Sequence, residues 1–557
     1  FFWVLPNIAD HRDTVASLMT RALGQRVTLE AVSGVWQQAR PEFRLRGVRL
    51  YDQQGQPALY LPEFKAAFAW RSLLFLEPRF SRIDLQGLAL GVRRARDGHF
   101  YVGGIPINPA DPDSGFSSWL LRQGQVHVAD ATLTWQDEVR GAPPLILTAV
   151  DFTLTNLRRS HRLQLNAIPP ASLARPLRVD AQLTARDTDN IKTWNGSIET
   201  RVAGVSFPRL ATWLELPYQP QQGWGSLHVR FDVASGALAG GTAGLDLRSI
   251  EATLGEGLPP LRLAQARGQA QWQRGPDGQR VTFDTLRVAL PGGRLGEPFH
   301  AGLAWNETAH EISAQALRLS GWQSVLPNLP MDAALRTRLQ RLQPQGRFDT
   351  LRLRWSGEQP GLDNFSIDAR FTGLGVAAVG NQPGLANFSG RIEGEARAGV
   401  FEIDSRQLVL NMPALFREPL MEFDAMRARG SWKKTPQGRL VTLDDAAFAN
   451  RDAAGTARGR YELIVGHPGV IDLSAHLTRA DGTAVYRYLP RKIGDQTVDW
   501  VKAGVVAGHA DDVRLTLRGD LAKFPFEPGV GDFSVDVQVK DAVIDYVPGW
   551  PRIEGIQ

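Results

Sequence analysis

Apolar and polar residues alternate along most of this chain. Leu227, Val229, Phe231 and Val233 are interleaved with Ser226, His228, Arg230 and Asp232. Phe533, Val535, Val537 and Val539 alternate with Ser534, Asp536, Gln538 and Lys540, and Leu351, Leu353 and Trp355 with Arg352 and Arg354. Successive side chains of a strand point to opposite faces, so this pattern predicts strands with one apolar and one wet face. Similar segments recur from about residue 44 onward. Asp97-Gly98, Asp277-Gly278 and Gln437-Gly438 stand between them, where hairpin turns call for positive φ. Helical periodicity is scarce. Residues 8–23 read as an amphipathic helix stopped by Gly24. Shorter helical patterns fall at 116–123, 207–215, 322–342 and 483–503, the last two interrupted by Pro327, Pro330 and Pro490. The stretch 103–118 reads as a loop by composition.

The chain also repeats itself. The segment from Gly268 (GQAQWQRGPDGQRVTFD) matches the one from Ala428 (ARGSWKKTPQGRLVTLD), with Trp272 on Trp432, Val281 on Val441 and Asp284 on Asp444. Leu329-Pro330 matches Leu489-Pro490. Gly346 to Gly357 then matches Gly508 to Gly519, and Gly225 to Gly236, preceded by Leu216-Pro217, has the same glycine spacing. A unit of short helix, Leu-Pro, loop, glycine and strand thus recurs, with a weaker copy from Trp119 through Gly124 to Trp135. Such repeats pack mainly on their neighbours. With roughly 30 strands about 4.8 Å apart, one sheet would run on the order of 140 Å.

Composition narrows the function. The 557 residues are 43% hydrophobic and 22% charged, ordinary for a folded chain, and the formal net charge of +5 is small for this length. Without a basic cluster, nucleic acid is not an expected partner. There is no cysteine, which excludes disulfides, thiolate catalysis and Cys-based metal sites. No phosphate loop, nucleophile elbow or HExxH motif is present, and the ten histidines are scattered singly. Asp444-Asp445 and Asp511-Asp512 are adjacent carboxylates whose side chains point to opposite faces of a strand. No catalytic residue, metal site or cofactor is therefore assigned, and the chain is read as a non-enzyme. Trp70, Trp135, Trp272, Trp305, Trp355 and Trp432 close or nearly close strands and read as covers for sheet edges; Lys433-Lys434 reads as solvent-facing charge at a hairpin. The opening Phe1-Phe2-Trp3-Val4-Leu5 is too short to span a membrane. It is either an apolar end at a fragment boundary or the stub of a membrane anchor, and the close at Ile556-Gln557 reads as a cut.

Several stretches resemble one family. Val27 to Asp52 (VTLEAVSGVWQQARPEFRLRGVRLYD) resembles the opening of AsmA-like envelope proteins. Trp119 to Glu138, Val409 to Leu420 and Val498 to Phe526 are similar to the large YhdP-type members, which are related to TamB. The resemblance runs in order along nearly the whole chain. It implies a mainly β fold: a long, repetitive, curled, antiparallel-rich sheet forming a groove (β-taco-like), with a few short amphipathic helices. It also implies a periplasmic body anchored in the inner membrane of a Gram-negative bacterium, and non-enzymatic transport of phospholipids between membranes that supports outer-membrane lipid homeostasis. The implied partners are phospholipid acyl chains, the inner membrane through an N-terminal anchor, and periplasmic or outer-membrane proteins; no cofactor is implied. Repeats and resemblance together divide the chain into an anchor stub (1–6), a helix (7–26) and groove segments 27–115, 116–205, 206–320, 321–480 and 481–557.

The candidate groove lining is Leu227, Val229, Phe231, Val233, Leu351, Leu353, Phe533, Val535, Val537 and Val539. Two arrangements of these faces remain open. They either line a trough for acyl chains or meet each other in a dry core. A second functional reading is an assembly factor that guides outer-membrane proteins by strand pairing.

Overall fold

A computed structural model describes residues 8–23, 26–37, 40–51, 57–69, 79–103, 105–107, 120–188, 190–216, 218–331, 333–357, 363–547 and 549–556. The stub 1–6, Gly24, Trp70, Trp119, Pro217 and most of the stretch 103–118 lie outside them. The chain forms two compact units, residues 1–297 and 298–557. In both, strands are joined mostly to their sequence neighbours by antiparallel pairing. The mainly β content expected from the alternation, and the antiparallel-rich pairing that the resemblance implies, are both found. Parallel pairs occur in the first unit, where Gln125–Asp137 lies beside both Phe80–Gln86 and Ala89–Arg94.

The helices fall where periodicity placed them. Ile8–His11 is a 3-10 turn leading into the α-helix Arg12–Leu23. Phe207–Leu210 is a single α-turn, and Ala333–Leu342 and Asp495–Gly504 are longer helices. Each of these two follows a 3-10 segment, and each segment ends on an extended Leu before a proline, Leu329 and Leu489. Proline disfavours helical backbone in the residue before it, so Leu-Pro stops one turn and lets the next begin. Two local expectations are corrected. Ile105–Ile107 is a short strand paired with Phe100–Val102, not loop. Gly438 does not adopt positive φ, unlike Gly98 (+86°) and Gly278 (+118°). It is a glycine because a Cβ there would meet the Leu463 carbonyl oxygen at 1.9 Å.

The sheets are interrupted by bulges. Pairing register shifts beside Asp130, Ala149 and Thr285 in the first unit and beside Asn387 and Asp541 in the second. All five have positive φ, between 46° and 59°. A bulge inserts one residue into one strand and bends it, which curves a sheet without breaking its pairing.

In the second unit the strands Ala309–Arg318, Ala398–Asn411 and His467–Asp481 run the same way. The connections after them leave one edge, and the helices lie in two of these, 319–344 and 482–504. The opposite edge closes in short turns at 306–308, 396–397, 435–437 and 465–466. Ion pairing of Arg417 with Asp495 and a hydrogen bond from Arg491 N–H to the Leu415 carbonyl (2.8 Å) strap the helical edge down.

Candidate functional site

Cross-strand partners share a face, so strand register shows how far an apolar stripe extends. In the first unit one row runs Val32, Leu45, Phe64, Leu85, Val128, Phe152, each paired with the next. It continues Leu165, Val179, Thr200, Val229, Ala243, Ala270, Phe283. Thr200 is its one polar member. The adjacent row on the same face ends Ala181, Ile198, Phe231, Gly241, Trp272, Val281. Between them, on the opposite face, a row runs Ser33, Arg44, Lys65, Asp84, His127, Thr153, then Gln164, Asp180, Glu199, Arg230, Thr242, Gln271, Thr282. One face is thus apolar and the other polar across the unit.

The second unit repeats this. Leu353 pairs with Ile312 and Ile367. Leu351 belongs to the row Ala314, Leu351, Ala369, Ile392, Phe401, Gly430, Leu443, Gly459, Leu473, Leu517, Phe533. Of the candidates, Leu351 and Phe533 therefore lie on one stripe. Val535, Val537 and Val539 pair with Leu515, Val513 and Ala510 beside it. Leu227, Val229, Phe231 and Val233 occupy four adjacent rows of the first unit's apolar face. The polar face carries ion pairs along its strands, such as Arg178–Asp180 (2.8 Å) and Arg391–Glu393 (2.7 Å). Exposed pairs of this kind contribute little to stability.

Coverage of the apolar face changes along the chain. Near its start Val32 and Leu45 are 4% exposed, and Val15, Ala16 and Met19 of the helix Arg12–Leu23 pack onto their cluster. Leu227, Val229, Phe231, Val233, Leu351 and Leu353 are only half-buried. Phe533, Val535 and Val537 are 51%, 49% and 49% exposed, and Val539 is half-buried. In the second unit, glycines let aromatic rings lie flat on the sheet. A Cβ on Gly430 would meet the Phe401 ring at 2.4 Å, and one on Gly399 the Trp432 ring at 2.1 Å.

The strand-closing tryptophans share the apolar face. In the first unit Trp194 and Trp272 stand at one end of their strands and Trp135 at the other; in the second, Trp305, Trp355 and Trp432 stand at the edge with the short turns. Two stack on histidines, Trp194 on His161 (5.0 Å, 25°) and Trp355 on His310 (5.4 Å, 20°). His161 is 3% exposed, and its Nδ1 lies 2.7 Å from Asn156 Oδ1. The Asn156 amide donates to the Gln123 carbonyl (2.8 Å), so its oxygen accepts from Nδ1–H and Nε2 is left as a lone pair without a partner. Burial pushes the His161 imidazole below its ordinary pKa. Sequence spacing marks Trp135, Trp272, Trp305, Trp355 and Trp432 as strand ends, but neither Trp194 nor the stacking of histidines on Trp194 and Trp355.

Among the described residues, no three His, Asp or Glu side chains gather as metal ligands, and no helix is long and apolar enough to cross a membrane. The family model of the YhdP protein matches residues 1–557. The intermembrane phospholipid transporter YhdP of Escherichia coli (strain K12) is 23% identical over 585 aligned positions, covering 99% of this chain and 44% of the relative. The chain thus spans less than half the length of that relative. No solved structure matches.

Proposed function

Because the chain belongs to the YhdP protein family, we propose that its apolar sheet face carries phospholipid acyl chains between the two membranes of a Gram-negative envelope. The observation that carries this reading is the apolar stripe of the first unit, interrupted only by Thr200 and mostly half-buried over residues 177–289. Burial is worth about 0.8 kcal/mol per CH₂. Two acyl chains carry roughly 30 such groups, so passage through water would cost on the order of 20 kcal/mol. Contacts spread over Leu, Val, Ala and Phe offset that cost without singling out one resting place. The tryptophan edge suits the boundary between chains and headgroups, since an indole has an apolar body and one polar N–H. Polar side chains on the other face keep it in water.

In this reading the body lies in the periplasm, held by an inner-membrane anchor, and serves outer-membrane lipid balance. It makes and breaks no covalent bond, and passive conduction sets no direction. A photoreactive residue tests it directly. Placed at Val229 or Leu353, it should crosslink phospholipid in cells, and placed at Arg230 or Arg352 it should not. Equal labelling of both faces, or none on the apolar one, would overturn the proposal.

A further inference from the structure

The polar face of the first unit holds a depression of about 850 Å³ whose lining includes Arg178, Arg201, His228, Asp246, Arg267 and Arg287. Four guanidinium groups and an imidazole thus face one carboxylate. Arg178 pairs directly across strands with Arg201, and Arg201 with His228; Arg267 pairs directly with Arg287. Like charges placed opposite each other on a sheet destabilise it. The neighbouring carboxylates are shared out. Asp180 takes Arg178 (2.8 Å), Glu199 takes Arg201 and His228 (2.5 Å), and Asp246 reaches Arg267 only at 4.0 Å while also facing Arg248 at 3.6 Å. Arg287 has no carboxylate of its own among the described residues. The bulge at Thr285 bends the strand at the depression's rim.

We propose that this depression is an anion-binding site that takes a phosphate-bearing polar ligand on the face turned away from the acyl-chain stripe. Guanidinium forks hold phosphate oxygens two at a time, which neutralises both like-charged pairs. The two basic groups are separated by the strand of Asp246. From Arg201 to Arg267 is three strand spacings, on the order of 14 Å. A ligand with two phosphates joined by a polar spacer would satisfy both ends. The charged groups of the site are not among the residues assigned to lipid conduction, although Leu227 of that set also borders the depression.

The test uses the full 557-residue chain and its Arg267→Gln/Arg287→Gln variant, titrated with inositol hexakisphosphate. Saturable binding, weakened at least about tenfold in the variant and by added salt, is the expected result. Thermal unfolding gives a second readout. Without ligand the variant should melt at or above the parent temperature, because a like-charge pair has been removed; only the parent should be stabilised by ligand. Inorganic pyrophosphate and phosphatidylglycerol vesicles, the latter against phosphatidylcholine vesicles, separate a soluble phosphate source from a lipid headgroup. No saturable binding, or equal binding by parent and variant, would overturn the site.

Discussion

The strands between residues 31 and 68 and those between 194 and 289 carry the same alternation, yet their apolar faces meet different surroundings. In the first stretch Val32, Leu45, Val48 and Leu61 sit in a closed cluster under the helix Arg12–Leu23. In the second, Ile198, Val229, Phe231 and Phe283 stay half-buried although they lie on the same stripes. The same alternation thus serves a packed interior at one end and a partly uncovered face further along. The first is covered by a twelve-residue helix, whereas in the second a four-residue helical turn, Phe207–Leu210, packs only near Val202, Leu227 and Leu247.

Charge placed on the stripe probes this contrast most strongly. Leu45→Asp should destabilise the chain by more than about 4 kcal/mol, because an unpaired carboxylate would enter a closed cluster. Val229→Asp should cost under about 2 kcal/mol, since water can reach it, while lipid recovered with the purified protein falls sharply. Urea unfolding with lipid mass spectrometry checks both; equal destabilisation would erase the contrast. Gly430→Ala should cost about 1–3 kcal/mol, because the new Cβ presses on the Phe401 ring and on the Thr442 carbonyl, 2.3 Å away. An unchanged denaturation midpoint would mean that the ring does not lie on the sheet.

The smallest expected effect concerns pH. Burial lowers the His161 pKa in the folded chain, so below the ordinary imidazole value near 6.5 the unfolded chain binds a proton that the folded one does not. The stability contributed by neutral His161 is present above that value and lost as pH falls toward the lowered folded one. His161→Phe, which keeps a ring on Trp194, should flatten this part of the profile. A profile unchanged between pH 5 and 7 would assign the pH dependence to other groups.

Much of the architecture can be read from the alternation alone, because a strand with one wet face needs nothing but period two. The alternation around Leu227 and Leu351 marked the residues that lie on the stripes. The stripes themselves could not be read, since Val229 meets Thr200 and Ala243 only through register, and register depends on turns and bulges far along the chain. Coverage was equally hidden: Phe43 and Leu45 alternate just as Val229 and Phe231 do. The Arg-lined depression escaped notice because Arg178, Arg201, Arg267 and Arg287 are singletons in sequence that adjacent strands bring together.

The bulges carry a consequence for how such a chain can change length. Apolar positions step by two along Gln125–Asp137 up to Val128 and then by three to Ala131, with Asp130 as the extra residue. Losing Asp130 would restore the ordinary step and leave every later side chain on its present side. Losing Thr132 would turn Leu133 and Trp135 over to the wet side. Bend and sidedness are thus specified at separate positions, and a lineage could straighten or tighten such a sheet one residue at a time without turning it inside out.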